Sequence, residues 1–259
     1  MPAPVRAAGR PAFERLAGGP RILARLLLAG GVVGPLLFVA AILAQDLTRP
    51  GYDPTRQFIS VLGLGEAGWI QAANFIASGL LLAGFGVALG SAPGLGLARW
   101  VPTLIVVTGL ALAIGGLFPS DPQLGYPYWI SAAEVANPSL HSRIHFAAGF
   151  VGTVAFAGVF LADALAARAA NAPRRVAYAL ASVAVMLACF LAGLRLASPG
   201  IGVPAIGGVL QRIGLVAGLQ WLVWLAWTAL RRSDSHARTS VRARREPRIS
   251  GASDGAVPG

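Results

Sequence analysis

Trp69-Ile70-Gln71-Ala72-Ala73-Asn74-Phe75-Ile76-Ala77-Ser78-Gly79-Leu80-Leu81-Leu82-Ala83-Gly84-Phe85-Gly86-Val87-Ala88-Leu89 contains no charged side chain. A helix that spans a bilayer needs about 20 mostly apolar residues, so this run predicts a transmembrane helix. Five more runs follow the same rule: Ile22 to Ala44, Trp100 to Phe118, His141 or Ile144 to Leu165, Val176 to about Arg195, and Ile206 to Leu230. The last carries Trp221, Trp224 and Trp227 near its end. The predicted fold is all-α, a polytopic bundle of six spans. Its organisation is an arginine-rich leader over 1–21, a membrane domain over 22–230 and a basic, disordered tail over 231–259. The first run is longer than the 7–15 residues of a signal-peptide core and is expected to be a retained helix.

The composition agrees. Of 259 residues, 12% are charged and 56% hydrophobic, about half the charged fraction of a soluble domain. Disorder, collagen and a disulfide scaffold are excluded. The single cysteine, Cys189, sits in an apolar run and has no intrachain partner. The net charge of +11 comes entirely from arginine, with no lysine, a usage expected of a GC-rich bacterial genome. These arginines sit at the ends and in short loops rather than on a basic face interleaved with aromatics, so no nucleic-acid partner is implied.

Arginine placement sets the orientation. The leader, with Arg6, Arg10, Arg15 and Arg21, falls on one side with Arg99, the Arg168/Arg174/Arg175 loop and the tail. The opposite loops carry Asp46, Asp53, Glu66, Asp121 and Glu134. Six spans with both termini cytoplasmic satisfy the rule, and the expected location is a bacterial inner membrane. Membrane lipids are the expected partners, the tail arginines being suited to anionic headgroups. Nothing in the sequence names a protein partner, and a homo-oligomer remains open. The small-xxx-small pairs Gly30/Gly34, Gly86/Gly90 and Gly214/Gly218 favour close helix approach.

The two long outer loops hold most polar residues that could carry chemistry. In the first, Asp53 precedes Pro54 and is placed to cap a short helix lying on the membrane surface, with Phe58, Val61 and Leu62 as its apolar face and Arg56 as a local ion-pair partner. In the second, His141 and His145 share a helical face at i, i+4 and, with Asp121, offer three candidate metal ligands. His236, the third histidine, lies in the tail. Arg195 and Arg212 lie at or inside apolar spans, where an unpaired charge is costly. Asp53, Asp121 and Glu134 are the available outer acids.

Two enzyme patterns are matched only in part, of which the first is rejected and the second is kept as an alternative. Pro138-Ser139-Leu140-His141 is similar to a lipid-phosphatase box but lacks its second histidine. Ser78, Asp121, His141 and His145 imitate a ceramidase-type zinc site without a third histidine. No dinucleotide fingerprint, P-loop, haem motif or zinc ribbon is present. No cofactor is therefore predicted beyond the candidate metal, and no residue receives a catalytic role. The sequence leans away from an enzyme. An internal repeat that would favour a transporter is also missing.

Pro50-Gly51-Tyr52-Asp53, Ile59-Ser60-Val61-Leu62-Gly63 and Phe118-Pro119-Ser120-Asp121, followed by a histidine opening the next helix, resemble a prokaryotic membrane family of unknown function, DUF998. The resemblance runs from about Leu26 to Leu230 and implies about six spans. His145 matches the family's histidine better than His141. The aromatic insert Tyr126 to Trp129 departs from the pattern.

The sequence thus predicts a polar cluster at the outer mouth of the bundle, made of Asp53, Arg56, Ser60, Asp121, His145, Arg195 and Arg212, with His141 and Glu134 beside it. The expected function is binding of a lipid headgroup or small solute. The alternatives are a metal-dependent membrane hydrolase using His141, His145 and Asp121, and a structural or accessory membrane protein.

Overall fold

The computed structural model describes residues 19–92, 95–130, 137–196 and 205–245. Six α-helices follow one another: α1 Gly19–Thr48, α2 Gly68–Gly90, α3 Val101–Leu117, α4 Leu140–Ala169, α5 Pro173–Leu196 and α6 Gly207–Arg245. No strand forms among the described residues. Five helices are long and apolar enough to cross a membrane. The third, α3, has 17 residues, at the lower edge of the spanning range. It nonetheless covers most of α2: Pro102 lies against Gly86, and Gly116 lies against Ala72. All six helices therefore cross together.

Local sequence sets the helix ends. Ser139 caps α4, accepting the Ser142 N–H at 3.1 Å. Pro173 opens α5, where a missing N–H costs nothing. Between them Asn171 adopts a left-handed conformation (φ 52°), and the Ala172 N–H bonds to the Ala167 carbonyl at 2.9 Å. This is a Schellman closure. It returns Arg175 to the end of α4, where the guanidinium grips the fully buried Asp163 through two hydrogen bonds.

Each helix packs on its neighbours in chain order, and α6 returns to α1. The ring is up-and-down throughout. Gly34 faces Ser78, Gly79 faces Gly109, Gly152 faces Ala111, and Gly214 faces Met186. The start of α1 and the end of α6 consequently lie on one side, and the arginine bias makes that side cytoplasmic. Aromatics mark the two membrane surfaces, with Trp100 and Trp227 under Arg99 and Arg231 on the inner side and exposed Trp69, Tyr128 and Trp129 on the outer side.

The inner half of the ring is solid. Leu82, Phe85, Val101, Ile105, Phe160, Trp221 and Leu222 fill it, and Phe160 and Trp221 rings sit 5.3 Å apart. In contrast to the expected disorder from residue 231, α6 continues to Arg245. Helix growth from an anchored end avoids the nucleation cost, and Arg and Ala are strong helix formers. Residues 1–18 and 246–259, the bulk of the leader and the end of the tail, lie outside the described residues.

The closest backbone approach is between α2 and α3. A Cβ on Gly109 would lie 2.5 Å from both the Ala83 nitrogen and the Gly79 oxygen, whereas one on Gly149 of α4 would meet nothing within 4 Å. Gly109→Val should therefore lower the melting temperature in detergent by the overpacking cost of about 1–3 kcal/mol, while Gly149→Ala should leave it unchanged. Equal melting temperatures for the two variants would contradict this packing.

Candidate functional site

The outer ends of α1 and α6 are joined by a bidentate ion pair. Arg212 donates from Nε to Asp46 Oδ2 at 2.8 Å and from Nη2 to Asp46 Oδ1 at 2.6 Å. Nη2 also reaches the Tyr52 hydroxyl at 2.7 Å, and Nη1 reaches the carbonyls of Pro54 and Gly208, each at 3.0 Å. All five guanidinium donors are thus spent inside the protein. The partner of Arg212 is Asp46 rather than Asp53, Asp121 or Glu134, because Asp46 ends the helix that packs beside α6. An external anion finds no free donor here.

The first outer loop folds over this pair. Asp53 accepts the Thr55 N–H at 2.9 Å and the Thr55 hydroxyl at 2.6 Å, and these bonds hold its carboxyl below the usual range, with burial opposing them. It caps a turn, and the expected surface helix is a 3-10 helix over Ile59–Gly63 instead, with Ile59, Val61 and Leu62 buried. A single α-turn forms across Pro54, where the Gln57 N–H donates to the Asp53 carbonyl at 2.8 Å, but it is not continued into a helix. Arg56 does not pair with Asp53. Its Nη2 donates to the Leu124 carbonyl at 2.6 Å, exposed by a two-residue turn in which Leu124 (φ 56°) and Gly125 (φ 73°) both take positive φ. The two outer loops are therefore stitched together.

A buried polar ladder descends from this cap. Arg49 Nη2 donates to Gln45 Oε1 at 2.6 Å, Gln45 to Gln71 at 2.7 Å, and Ser78 to Asn74 at 3.2 Å. All five are nearly inaccessible. Sequence reasoning missed this ladder and the Asp163–Arg175 pair. The signal was present: Gln71, Asn74 and Ser78 recur at helical spacing within one apolar run, and Asp163 sits at the end of another.

The other predicted residues scatter. Asp121 accepts the Ser139 N–H at 2.7 Å, which, with Ser142 nearby, lowers its pKa. Arg195 is exposed at the end of α5 and forms no ion pair among the described residues, the behaviour of an arginine reaching to the interface. His141 is exposed and packs edge-on to Phe118. His145 is buried, and its Nδ1 lies 2.9 Å from the carbonyls of both Gly115 and Phe118. Among the described residues no group of three His, Cys, Asp or Glu side chains converges to hold a metal ion, so His141, His145 and Asp121 do not form a site together. Glu134 lies outside the described residues.

Beneath the cap the outer half of the ring is hollow. A chamber of about 460 Å3 is walled by all six helices and the 3-10 helix, among them Phe38 of α1, Ser60, Phe75 and Ser78 of α2, Leu112 of α3, His145 and Gly149 of α4, Phe190 of α5 and Leu215 of α6. That volume falls in the ligand-site range of about 300–1,000 Å3. The chamber is not sealed. On the flank of α4 that faces α5, Phe160 and Ala164 are buried in the inner half, but Phe146, Phe150 and Thr153 line the chamber in the outer half. Phe150 remains 68% exposed and Leu194 of α5 51%. The two helices are fastened at the inner end by Asp163–Arg175, and it is at their outer ends that chamber-lining side chains remain exposed.

This arrangement sits within residues 32–228, which match the family model described as a protein of unknown function, DUF998. The chain belongs to the DUF998 family. No curated protein and no solved structure matches it. The stretch matched by the DUF998 model contains the cap, the ladder and all the walls of the chamber.

Two tests follow from the cap. Removing either partner of the Arg212–Asp46 pair leaves a half-buried charge, so Asp46→Asn and Arg212→Met should each lower stability by about 3–5 kcal/mol. The double variant should lose less than their sum, which detergent unfolding curves will show. Tyr52 supplies a pH signature. Burial pushes its phenol up to about 12, with Arg212 opposing. The folded state favours the neutral phenol, so its stabilisation is complete below the unfolded value of 10.0 and is lost as pH climbs toward 12. Tyr126 is raised by burial as well, so the tyrosinate absorbance should show a late-titrating component whose amplitude falls by one tyrosine in Tyr52→Phe. An unchanged titration in that variant would refute the assignment.

Proposed function

We propose that this DUF998 protein is a lipid-binding protein of the bacterial inner membrane, which admits an apolar chain between α4 and α5 into the chamber under the outer loops. The observation that carries the reading is the chamber itself: apolar walls, ligand-sized volume, and lining side chains of α4 and α5, Phe150 and Leu194, that remain exposed on the flank of the bundle. Depth supports it as well. The walls run along α6 from Gln211 to Leu222, a drop of ~16 Å at the helical rise per residue. A chain entering from the outer leaflet would exchange lipid contacts for protein contacts at nearly equal polarity. Selectivity would then rest on shape and on the few polar groups in the wall. Arg56 and Arg212 are committed to partners within the protein, Arg195 is exposed at the end of α5, and no arginine among the described residues lines the chamber, which favours recognition of the chain over recognition of a charge.

Gly149 offers a direct test, because a side chain there enters open space and lies on the chamber wall. Gly149→Phe should keep the wild-type melting temperature and lose co-purified lipid, quantified by mass spectrometry of extracts from the detergent-washed protein. Lipid retained at the wild-type level with the chamber plugged would overturn the reading.

A further inference from the structure

We infer that the chamber selects an uncharged lipid that ends in a hydroxyl group, and that the hydroxyl is recognised by Nε2 of His145. The inference rests on the lipid-binding reading above and adds the chemistry of the recognised end. Its starting point is the tautomer. Nδ1 of His145 stands 2.9 Å from two carbonyl oxygens, Gly115 on α3 and Phe118 just beyond it. Carbonyls only accept, so Nδ1 must carry the proton and donate to them. The remaining nitrogen, Nε2, is then a bare lone pair. It makes no hydrogen bond among the described residues, although His145 is only 8% exposed and lines the chamber.

Most other polar side chains of the wall differ from it. Thr108 and Thr153 donate to the carbonyls four residues before them, and Ser78 donates to Asn74. Gln211 uses its carbonyl oxygen to accept the Ile59 N–H at 2.8 Å, leaving its amide hydrogens as donors, and the Ser60 hydroxyl in the wall makes no side-chain hydrogen bond among the described residues. The chamber therefore presents one unspent imidazole acceptor, His145 Nε2, while Gln211 and Ser60 bring hydrogens of their own. A ligand hydroxyl supplies the hydrogen that Nε2 lacks. A carboxylate or phosphate would set negative charge against a lone pair in a chamber whose wall contains no arginine among the described residues. An ether or ester end offers no hydrogen and would leave Nε2 unsatisfied. His145 lies in the second turn of α4, at the outer end of the chamber, where a lipid's polar end meets the interface while its chain extends inward.

The test compares hexadecanol with hexadecyl methyl ether, which have the same chain and differ in the donor hydrogen. Delipidated wild-type protein in detergent is incubated with each, passed through gel filtration, and the retained ligand is quantified by mass spectrometry. The alcohol should bind about tenfold more tightly than the ether, the factor expected of one added hydrogen bond in a site closed to water. His145→Asn keeps an amide donor for the Gly115 and Phe118 carbonyls and removes the Nε2 acceptor, so it should bind both probes equally. Equal binding by the wild type, or an undiminished preference for the alcohol in a folded His145→Asn variant, would overturn the inference and leave chain binding intact. Retention of neither probe, together with lipid content unaffected by Gly149→Phe, would instead remove the chamber reading. If His145→Asn fails to fold, NMR of the histidine ring nitrogens in the wild type decides. The Nε2 resonance should move toward its hydrogen-bonded position on adding hexadecanol and stay fixed with the ether; no movement with either overturns the inference.

Discussion

Closing a ring of six helices in a membrane requires the first and last to be held together, and here Arg212 and Asp46 do it. Hydrocarbon supplies no hydrophobic drive between helices, so α1 and α6 need a directional contact. The pair provides one at the outer edge, where the ions are part-hydrated and the desolvation cost is smaller than at the bilayer centre. The remaining guanidinium donors hold the Tyr52 hydroxyl and the Pro54 and Gly208 carbonyls. Helix closure and loop placement thus share one cation. The loop can lie across the mouth only because its backbone carbonyls have somewhere to point.

The two halves of the bundle differ because small residues are distributed unevenly around it. Gly79, Gly86 and Gly109 draw α2 and α3 into backbone contact, and large side chains such as Phe85, Phe160 and Trp221 fill the inner half. In the outer half the same ring diameter meets Ala148, Gly149, Gly152 and Gly214, which cannot fill it. The hollow follows from small residues at facing positions of the outer half. Its polar ceiling follows from the long outer loops, whose turn residues supply carbonyls that Arg49, Arg56 and Arg212 satisfy.

Hydropathy alone located the first five helices and the start of α6 to within a few residues, because the bilayer imposes one length and one polarity on every span; the continuation of α6 to Arg245 lay beyond that signal. The side of each loop was equally legible from arginine placement. The site was not, and the reason is pairing. The charge on Arg212 declared that it needed a partner, but Asp46 lies 166 residues away, and several acids were equally plausible without the ring closure. Arg195 carried the same charge signal and turned out to face the interface. Nor does spacing distinguish His145 from His141. The choice between them comes from α3, whose last carbonyls claim one histidine ring and leave the other outside. A cavity is less legible still, since it is defined by atoms that are missing from facing helices.

The two ion pairs also divide the labour of the bundle. Asp46–Arg212 fastens the α1–α6 seam at the outer surface, and Asp163–Arg175 fastens the α4–α5 seam at the inner one. A pair of helices held at one end and packed by small or apolar residues elsewhere has a soft opposite end, since lipid competes for the same contacts. The cap is rigid where α1, α6 and both outer loops meet, because their polar groups satisfy one another. The compliant edge of the molecule is therefore the outer part of the α4–α5 seam, beside His145. On the lipid-binding reading proposed above, recognition and entry would fall on the same helix, with the histidine fixed by α3 on one flank and the exposed Phe150 on the other. A ligand passing that seam would then meet the fixed acceptor without any change in the cap.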